Sequence, residues 1–189
     1  MAKKSLGAST ILVPTPAWII GTYDSAGKPN AMTVAWAGIC CSQPPCVAIS
    51  VRKATYTYRC LLAHKAFTVN VGHERYVKEI DYFGLVSGED TDKFSTTGLT
   101  PVRSNVVDAP YIQEFPLVLE CQVMHTMEIG FHTQFIGKIL DVKADHDVIG
   151  DGGAPDVEKI RPVIFTPSQR TYHGIGQLLG DAFSLGDEV

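Results

Sequence analysis

The sequence lacks the features of a membrane or exported protein. Its 189 residues contain no apolar run of the roughly 18 to 20 residues that span a bilayer, and the apolar stretch 11–20 is interrupted by Pro14 and Pro16. Lys3 and Lys4 lie near the N-terminus, but no clear apolar segment with a small-residue cleavage site follows them. We therefore expect a cytoplasmic protein that has no membrane partner.

Motifs that identify several common enzyme classes are also missing. No G-x-G-x-x-G follows a predicted strand, which argues against a Rossmann site, and no P-loop glycine pattern indicates a nucleoside triphosphate. No Ser-His-Asp, H-E-x-x-H or paired-carboxylate signature stands out, although a triad can be hidden by distance in sequence. The formal net charge of -4 implies no broad basic surface, so we expect no nucleic-acid partner.

The cysteine pattern indicates neither a disulfide framework nor a metal site. There are five cysteines, an odd number, at positions 40, 41, 46, 60 and 121. Cys40, Cys41 and Cys46 form a local group, but their spacing is not the C-x-x-C pair of zinc sites and no second pair follows. We predict structural thiols and no bound metal.

The sequence does contain a globular composition and many short strand patterns. Hydrophobic residues make up 45% and charged residues 19%, and no repeat or linker divides the chain, so we predict one domain over residues 1–189. Strand patterns occur at 17–23, 31–38, 46–51, 67–71, 117–123, 134–142, 163–165 and 171–173. Within 117–123, apolar residues alternate with Glu120 and Gln122, which predicts a half-buried strand.

Two helical patterns lie between these strands. Thr55 is a suitable N-cap for the first, and segment 74–82 has apolar residues at helical spacing. Segment 89–100 is polar and contains glycine, which predicts a loop or a short irregular helix. Many short strands with few helices predict a mainly β protein, a β-barrel with a few helices, because closure removes exposed strand edges.

The segment 30–36 is suited to holding a flat conjugated ring. Such a ring needs backbone polar groups along its edge and an apolar wall over its face. Thr33 and Ala35 are small enough to let a ring approach, and Thr33 adds a hydroxyl. The alternative is an ordinary barrel strand whose Trp36 fills the core.

The segment 50–55 is suited to holding a phosphate. A strand ends there and a helix begins, and helix N-termini present free N–H groups with partial positive charge. Arg52 and Lys53 lie at that point, with the hydroxyls of Ser50 and Thr55 beside them. The alternative is a capped surface helix with two solvated basic residues. Together the two segments could serve both ends of one ligand, a ring and a phosphate, which is the shape of FMN.

Five motifs in order resemble the flavin-reductase-like FMN-binding family, which includes the flavoredoxins. They are N-A-M-T-V-A-W, C-V-A-I-S-V-R-K-A-T, F-T-V-N-V, D-K-F-S-T-T-G-L and H-T-Q-F-I-G-K-I-L-D-V, and the resemblance extends over residues 14–176. It implies a split β-barrel of Greek-key type and a homodimer with FMN near the subunit interface. The cofactor-binding residues that we predict are Asn30, Met32, Thr33, Val34, Ala35, Trp36, Ser50, Val51, Arg52, Lys53, Thr55, Asn70, Lys93, Phe94, His132 and Tyr172.

The resemblance also suggests a role for each group. It places 32–36 along the ring or ribityl chain, and Ser50, Arg52, Lys53 and Thr55 near the ribityl and phosphate. Asn70 is either a polar contact or a structural residue. Lys93 and Phe94 approach the flavin from a loop or from the partner subunit, and His132 and Tyr172 sit near the ring.

The function that follows is an FMN-binding oxidoreductase without a conventional catalytic pair, because a flavin carries its own chemistry. It is either an NAD(P)H-dependent flavin reductase or a flavoredoxin-like electron carrier fed by a redox protein. Two alternatives remain open: a non-catalytic flavin-binding or storage protein, and a pyridoxamine-phosphate-oxidase-like enzyme on the same barrel.

Overall fold

A computed structural model describes residues 2–188. The strands within it are β1 (Thr15–Pro16), β2 (Trp18–Tyr23), β3 (Pro29–Val34), β4 (Ala37–Ser42), β5 (Pro45–Arg52), β6 (Ala66–Val71), β7 (Pro101–Arg103), β8 (Pro110–Ile112), β9 (Leu117–Ile129), β10 (His132–Ala144), β11 (Ile164–Thr166) and β12 (Thr171–His173). The α-helices are α1 (Tyr56–His64), α2 (Val77–Leu85), α3 (Lys93–Thr97) and α4 (Val157–Ile160), and 3-10 turns occupy Glu74–Tyr76, His146–Val148 and Leu185–Glu188.

The main sheet has seven antiparallel strands in the order β3-β2-β6-β9-β10-β5-β4. Its two edge strands, β3 and β4, are consecutive in the chain and are separated only by Ala35 and Trp36. Because one segment supplies both edges, the sheet has to curl on itself, and the Ser50 amide donates to the Trp36 carbonyl at 2.8 Å beside this link. The predicted mainly β barrel with a few helices is confirmed.

The interior of the barrel is an apolar core. It is formed by Ile20, Val34, Val47, Ile49, Val51, Leu61, Phe67, Val69, Cys121 and Phe135. Gly137 on β10 lies directly against the ring of Phe67, since a Cβ atom at this position would come within 2.5 Å of that ring. Any larger residue at 137 would therefore displace Phe67, the one aromatic side chain of β6.

A second core lies outside the barrel, where α2 and α3 cover β2 and β3. Its members are Ala17, Ile19, Ala31, Ile80, Phe83, Phe94, Leu99, Ile112, Phe115 and Val163. Ile19 and Ile20 are both fully buried although they point to opposite faces of β2. This explains why the sequence of β2 is a continuous apolar run rather than an alternating one.

Most predicted elements are present, with three differences. The single strand predicted at 31–38 is wrong, because the chain leaves the ladder at Ala35 and Trp36 to cross from one sheet edge to the other. The second difference is that the predicted helix at 74–82 begins as a 3-10 turn and continues to Leu85. The segment 89–100, predicted as a loop or a short irregular helix, contains the short helix α3 and so agrees with the second alternative.

Glu120 is the third difference. It alternates with the apolar residues of β9 as predicted, but its side chain is fully buried and accepts a hydrogen bond from Lys143. Its cross-strand neighbour Thr68 donates to the carbonyl of Pro110 at 2.6 Å. The segment that begins β8 therefore packs over this face of the sheet, which sequence periodicity alone does not reveal.

The five cysteines are free thiols; Cys40 and Cys41 are exposed, and Cys46, Cys60 and Cys121 are buried. Among residues 2–188, no group of three or more His, Cys, Asp or Glu side chains is arranged to hold a metal ion. None of the helices in the same range is long and apolar enough to cross a bilayer.

Candidate functional site

A groove runs along β3 and the link to β4. Its central cavity has a volume of about 230 Å³ and is lined by Met32, Thr33, Val34, Ala35, Trp36, Ser50, Val51, Arg52, Thr55, Gly84 and His132. These residues come from β3, the end of β5, the start of α1, the end of α2 and the start of β10. Ten of them are predicted cofactor-binding residues, so the fold brings most of the predicted site together.

Three further cavities adjoin the central one and share residues with it. The helix-end cavity, of about 210 Å³, shares Met32, Thr55 and Gly84 and lies at the start of α1. The tyrosine cavity, also about 210 Å³, shares Thr33, Ala35 and Gly84 and is bounded by Tyr172. The large cavity, of about 500 Å³, shares Ala35, Trp36, Ser50 and His132 and is bounded on its far side by the N-terminal residues Thr10, Leu12 and Thr15.

The backbone of β3 offers polar groups to the groove. β3 is an edge strand that pairs with β2 on one side only. The Ala31 carbonyl points to the unpaired side, where it accepts a hydrogen bond from Lys93. In an antiparallel edge strand, residues two apart present their N–H and C=O groups on the same side, so the Thr33 backbone also faces the groove. This is the edge that a heteroaromatic ring with alternating donors and acceptors requires.

The helix-end cavity combines a helix N-terminus with a buried cation. The Thr55 hydroxyl caps α1 by accepting from the Tyr58 amide, which leaves the amides of Tyr56 and Thr57 as unsatisfied donors of the first turn. Lys93 lines the same cavity and is only 4% exposed. Its ammonium donates to the carbonyls of Ala31 and Phe83 at 2.7 and 2.9 Å.

The charge of Lys93 has no counter-ion within the described chain. No carboxylate of residues 2–186 lies within 4.0 Å of its ammonium. Burial lowers the pKa of Lys93 to about 8, because desolvation disfavours the charged form. An ammonium has three donors, so one N–H remains beyond the two carbonyl contacts. Lys93 was predicted to approach the flavin from a loop or from the partner subunit; within one chain it lines the groove as the first residue of α3.

Arg52 and Lys53, predicted as a pair, are placed differently. Arg52 lines the central cavity, and its guanidinium lies 4.4 Å from the centre of the Phe131 ring. Lys53 is exposed and forms an ion pair with Glu128 at 2.8 Å on the β9–β10 hairpin. Lys53 lines none of the four cavities. Of the two cations, only Arg52 therefore lines the groove.

Asn30, Asn70 and Phe94 lie behind the groove rather than on its surface. The Asn30 amide donates to the hydroxyls of Thr22 and Thr57, which ties β3 to the first turn of α1. Asn70 is fully buried; it donates to the Ile19 carbonyl and accepts from the Ile112 amide, which favours the structural one of its two predicted roles. Phe94 packs in the outer core.

His132 and Tyr172 lie on the groove at different places. His132 borders both the central and the large cavity, with its ring at 5.7 Å from that of Phe131. Tyr172 borders the tyrosine cavity and donates its hydroxyl to Asp81 at 2.9 Å. Burial, together with this hydrogen bond to Asp81, raises the pKa of Tyr172 well above its usual value.

The sequence did not identify the contribution of α2. Gly84 borders three of the four cavities, and a Cβ atom there would lie 3.3 Å from the Cβ of Thr33. A glycine at this position keeps α2 close to β3 without filling the groove. Asp81 and Leu85 also line the tyrosine cavity. The only available signal was the Gly84 and Gly88 pair, since glycine marks close backbone approach.

The sequence of this barrel matches the model of a known protein family. The flavin reductase like domain matches residues 10–173, and the chain therefore belongs to this family. Its membership supports a flavin-oxidoreductase type of function, and the predicted resemblance is confirmed.

Solved structures agree with this assignment. The chain is 52% identical to the flavoredoxin of Desulfovibrio vulgaris (Miyazaki F), with a TM-score of 0.94 over 98% of this chain and 100% of that one. It is 29% identical to a flavoredoxin from Methanosarcina acetivorans, with a TM-score of 0.91 over 99% of both chains. A flavin reductase with a split barrel domain from Shewanella frigidimarina, at 21% identity, has the same fold, with a TM-score of 0.82 over 91% of this chain and 87% of that one. The predicted split barrel is confirmed.

Proposed function

We propose that the groove binds FMN and that the protein is an FMN-dependent oxidoreductase, either an NAD(P)H-dependent flavin reductase or an electron carrier of flavoredoxin type. The observation that carries this proposal is the helix-end cavity, where a buried ammonium without a counter-ion lies beside a helix N-terminus. The charge of the ammonium and the partial positive charge of the helix N-terminus face one cavity and together favour an anion there. The 52% identity to a flavoredoxin supports the same function.

The residues of the groove fit FMN at both ends. At the phosphate end, Lys93 would supply a point charge, and the Tyr56 and Thr57 amides would supply hydrogen bonds. The Thr55 hydroxyl already donates to the Arg52 carbonyl and would only hold the start of α1 in place. At the ring end, the outward backbone of β3 would pair with the polar edge of the ring. Gly84 leaves the space between these two ends open. We expect Arg52, at the rim of the central cavity, to add a second and more exposed cation.

When bound, FMN supplies two-electron and one-electron transfer at its ring. The chain's own contribution is to hold and orient that ring. The Thr33 hydroxyl donates to the Ile80 carbonyl, which fixes β3 to α2 under the ring seat. Trp36, His132 and Ile129 form apolar and aromatic walls that limit water access from the large cavity.

We also propose a homodimer in which the partner covers the large cavity. Met124, Met127, Ile129 and Phe131 are exposed apolar residues on the β9–β10 hairpin, and Ile39 is exposed on β4. Ile129 lines the large cavity itself. Several exposed apolar side chains beside a groove are typical of an interface. Light scattering should give twice the chain mass, and Phe131→Glu should give single chains.

The experiment that tests the function is the visible spectrum of the purified protein, with the released flavin identified after heating. FMN in equimolar amount supports the proposal, and a protein that neither holds nor takes up FMN contradicts it. Anaerobic addition of NADH and NADPH then separates the two forms of the proposal. Bleaching by either nucleotide indicates a reductase, whereas bleaching only by dithionite or a reduced redox protein indicates an electron carrier.

A further inference from the structure

The hairpin formed by β4 and β5 carries three cysteines that lie outside the groove, and we call them the thiol cluster. Cys40 and Cys41 are near the end of β4, and Cys46 is the second residue of β5. None of them lines any of the four cavities. The register of the hairpin pairs Cys41 directly with Cys46, and a register shift between Ile39 and Cys41 leaves Cys40 as the extra residue of a β-bulge.

Cys41 and Cys46 are placed as a disulfide requires. Residues directly opposite each other in an antiparallel ladder have their Cα atoms about 4.5 to 5.5 Å apart and their side chains on the same face of the sheet. A disulfide needs a Cα separation of about 4.4 to 6.8 Å. The register of the hairpin therefore allows these two thiols to be joined without a rearrangement of the backbone.

The thiols of the cluster differ in exposure and in reactivity. Cys41 is exposed, whereas Cys46 is only 4% exposed and its Sγ atom contacts the Sδ atom of Met124 at 4.0 Å. A reagent in solution therefore reaches Cys41 before Cys46. Cys40 is also exposed, but desolvation and, to a smaller extent, the nearby Cys46 and Cys41 thiols raise its pKa. Cys40 accordingly holds less of the nucleophilic thiolate than an ordinary cysteine does.

The other two cysteines are unsuited to the same chemistry. Cys60 on α1 and Cys121 on β9 are both buried, and Cys121 belongs to the barrel core. Burial raises the pKa of Cys60, and it raises the pKa of Cys121 to about 12. Buried thiols of this kind are inert, because the thiolate is the reactive form. Reactivity towards an oxidant is therefore confined to the thiol cluster.

We propose that Cys41 and Cys46 form a reversible disulfide by exchange with a low-molecular-weight disulfide. The Cys41 thiolate attacks one sulfur of that compound, whose S–S bond breaks, so that one thiol molecule leaves and a mixed disulfide forms on Cys41. The Cys46 thiolate then attacks the Cys41 sulfur and releases the second thiol molecule. The cysteine pair loses two electrons and two protons, and the two released thiol molecules carry both.

The position of this disulfide indicates a modification site rather than a structural staple. Only four residues lie between Cys41 and Cys46, and a cross-link that closes so short a loop restricts the unfolded chain little. Because Cys41 is exposed, a reductant can also reach the bond, and exposed disulfides are the readily reduced ones. The proposal does not depend on bound flavin.

The test incubates the reduced protein with excess oxidised glutathione, alkylates the remaining thiols after denaturation, and measures the intact mass. We expect two of the five thiols to become unreactive without a gain of glutathione, and dithiothreitol to restore them. The result should be the same for FMN-loaded and flavin-free protein, so it is independent of the proposed function. Retention of all five free thiols, a stable glutathione adduct, or a disulfide between two chains would overturn the inference.

Three variants, each checked for folding by thermal melting, assign the pair. Cys46→Ser should accumulate a glutathione adduct, because the thiol that resolves the mixed disulfide is gone. Cys41→Ser should slow ring closure by at least about tenfold, whereas Cys40→Ser, the matched control, should close within about twofold of the wild-type rate. The inference is wrong if Cys41→Ser closes at the wild-type rate, if Cys40→Ser fails to close, or if Cys46→Ser joins Cys40 to Cys41.

Discussion

At its C-terminal end, helix α1 carries a cation whose charge is balanced within the fold. The His64 ring lies 2.7 Å from the Asp108 carboxylate and 2.9 Å from the Asp24 carbonyl. At its N-terminal end, the nearby cation is Lys93, which contacts only two carbonyls. The first turn of α1 contains no acidic residue, so the positive end of the helix dipole and the ammonium reinforce each other.

This difference separates a structural pair from a binding site. A cation at a helix C-terminus is favourable with or without a ligand, and Asp108 strengthens it. A cation at a helix N-terminus is unfavourable until an anion joins it, and burial adds a desolvation penalty. The fold keeps this second arrangement in the helix-end cavity, which adjoins the central cavity of the groove, and an unbalanced buried charge in a cleft is typical of a functional site.

We expect the largest effect on FMN affinity from removing the charge of Lys93. Lys93→Met keeps the length and apolar stem of the side chain but removes the charge-assisted contact to the phosphate. We expect FMN affinity to fall by about 10- to 100-fold, which corresponds to roughly 1.5 to 3 kcal/mol. Quenching of flavin fluorescence on titration measures it.

Lys53→Met is the matched control for this change, because Lys53 is close to the start of α1 but pairs with Glu128 outside the groove. We expect its FMN affinity to stay within about twofold of wild type, as an exposed ion pair contributes little. Thermal melting of both flavin-free variants shows whether each is folded. If the two variants lose equal affinity, the phosphate does not lie against Lys93.

FMN affinity should depend on pH through the protonation of Lys93. The pKa of Lys93 is about 8 in the flavin-free protein because of burial, and a bound phosphate would raise it. Above about pH 8, binding then has to take up a proton, so affinity falls towards tenfold for each pH unit. The phosphate itself is already a dianion there, since its second pKa is about 6. Titrations between about pH 7 and about pH 9.5 should show this slope in wild type and none in Lys93→Met.

Arg52 should have an intermediate effect. It borders the central cavity but is exposed and stacked on Phe131, so solvent screens its charge. We expect Arg52→Ala to weaken FMN by about threefold to tenfold, with the loss shrinking at high salt. The loss in Lys93→Met should depend less on salt because that charge is buried. A salt-independent loss at Arg52 would mean that it contacts the phosphate directly.

Local sequence patterns predicted most of the fold because most elements are locally encoded. Thr55 begins α1 as its side-chain chemistry requires, and β12 has the predicted bounds. The predictions were wrong or incomplete where contacts between distant parts of the chain determine the local structure. The 31–38 pattern continues through Ala35 and Trp36, and only closure of the barrel interrupts the strand there. Glu120 is buried because a distant segment covers it.

The candidate site also contains residues that the sequence could predict and residues that only tertiary packing brings together. Residues 32–36 and 50–52 line one cavity, as neighbouring strands would predict. The phosphate-binding cation was harder to predict, because Arg52 ends β5 and Lys53 lies in the turn that follows, and the sequence does not say which of the two lines the groove. Lys93 lies far along the chain, in a polar segment whose composition gives no sign of burial. Asp81 and Gly84 become part of the site only through the packing of α2 on β3.

We expect the smallest effect from a substitution of His64, at the C-terminal end of α1, and this effect is on the stability of the fold. The hydrogen bond to Asp108 raises the pKa of His64, with a smaller contribution from the Asp24 carbonyl. A raised pKa in the folded state means that the charged ring stabilises the fold below its unfolded pKa of about 6.5, and that this stabilisation is lost as pH rises through the folded value.

Asp108 is 54% exposed, so the pair behaves largely as a surface ion pair. We expect His64→Gln to lower the free energy of unfolding by about 0.5 kcal/mol near pH 5.5 and by less near pH 8.5, as measured by urea denaturation. FMN affinity should not change, because the contacts of His64 are already complete within the fold; a loss of FMN in this variant would show that the two ends of α1 are coupled.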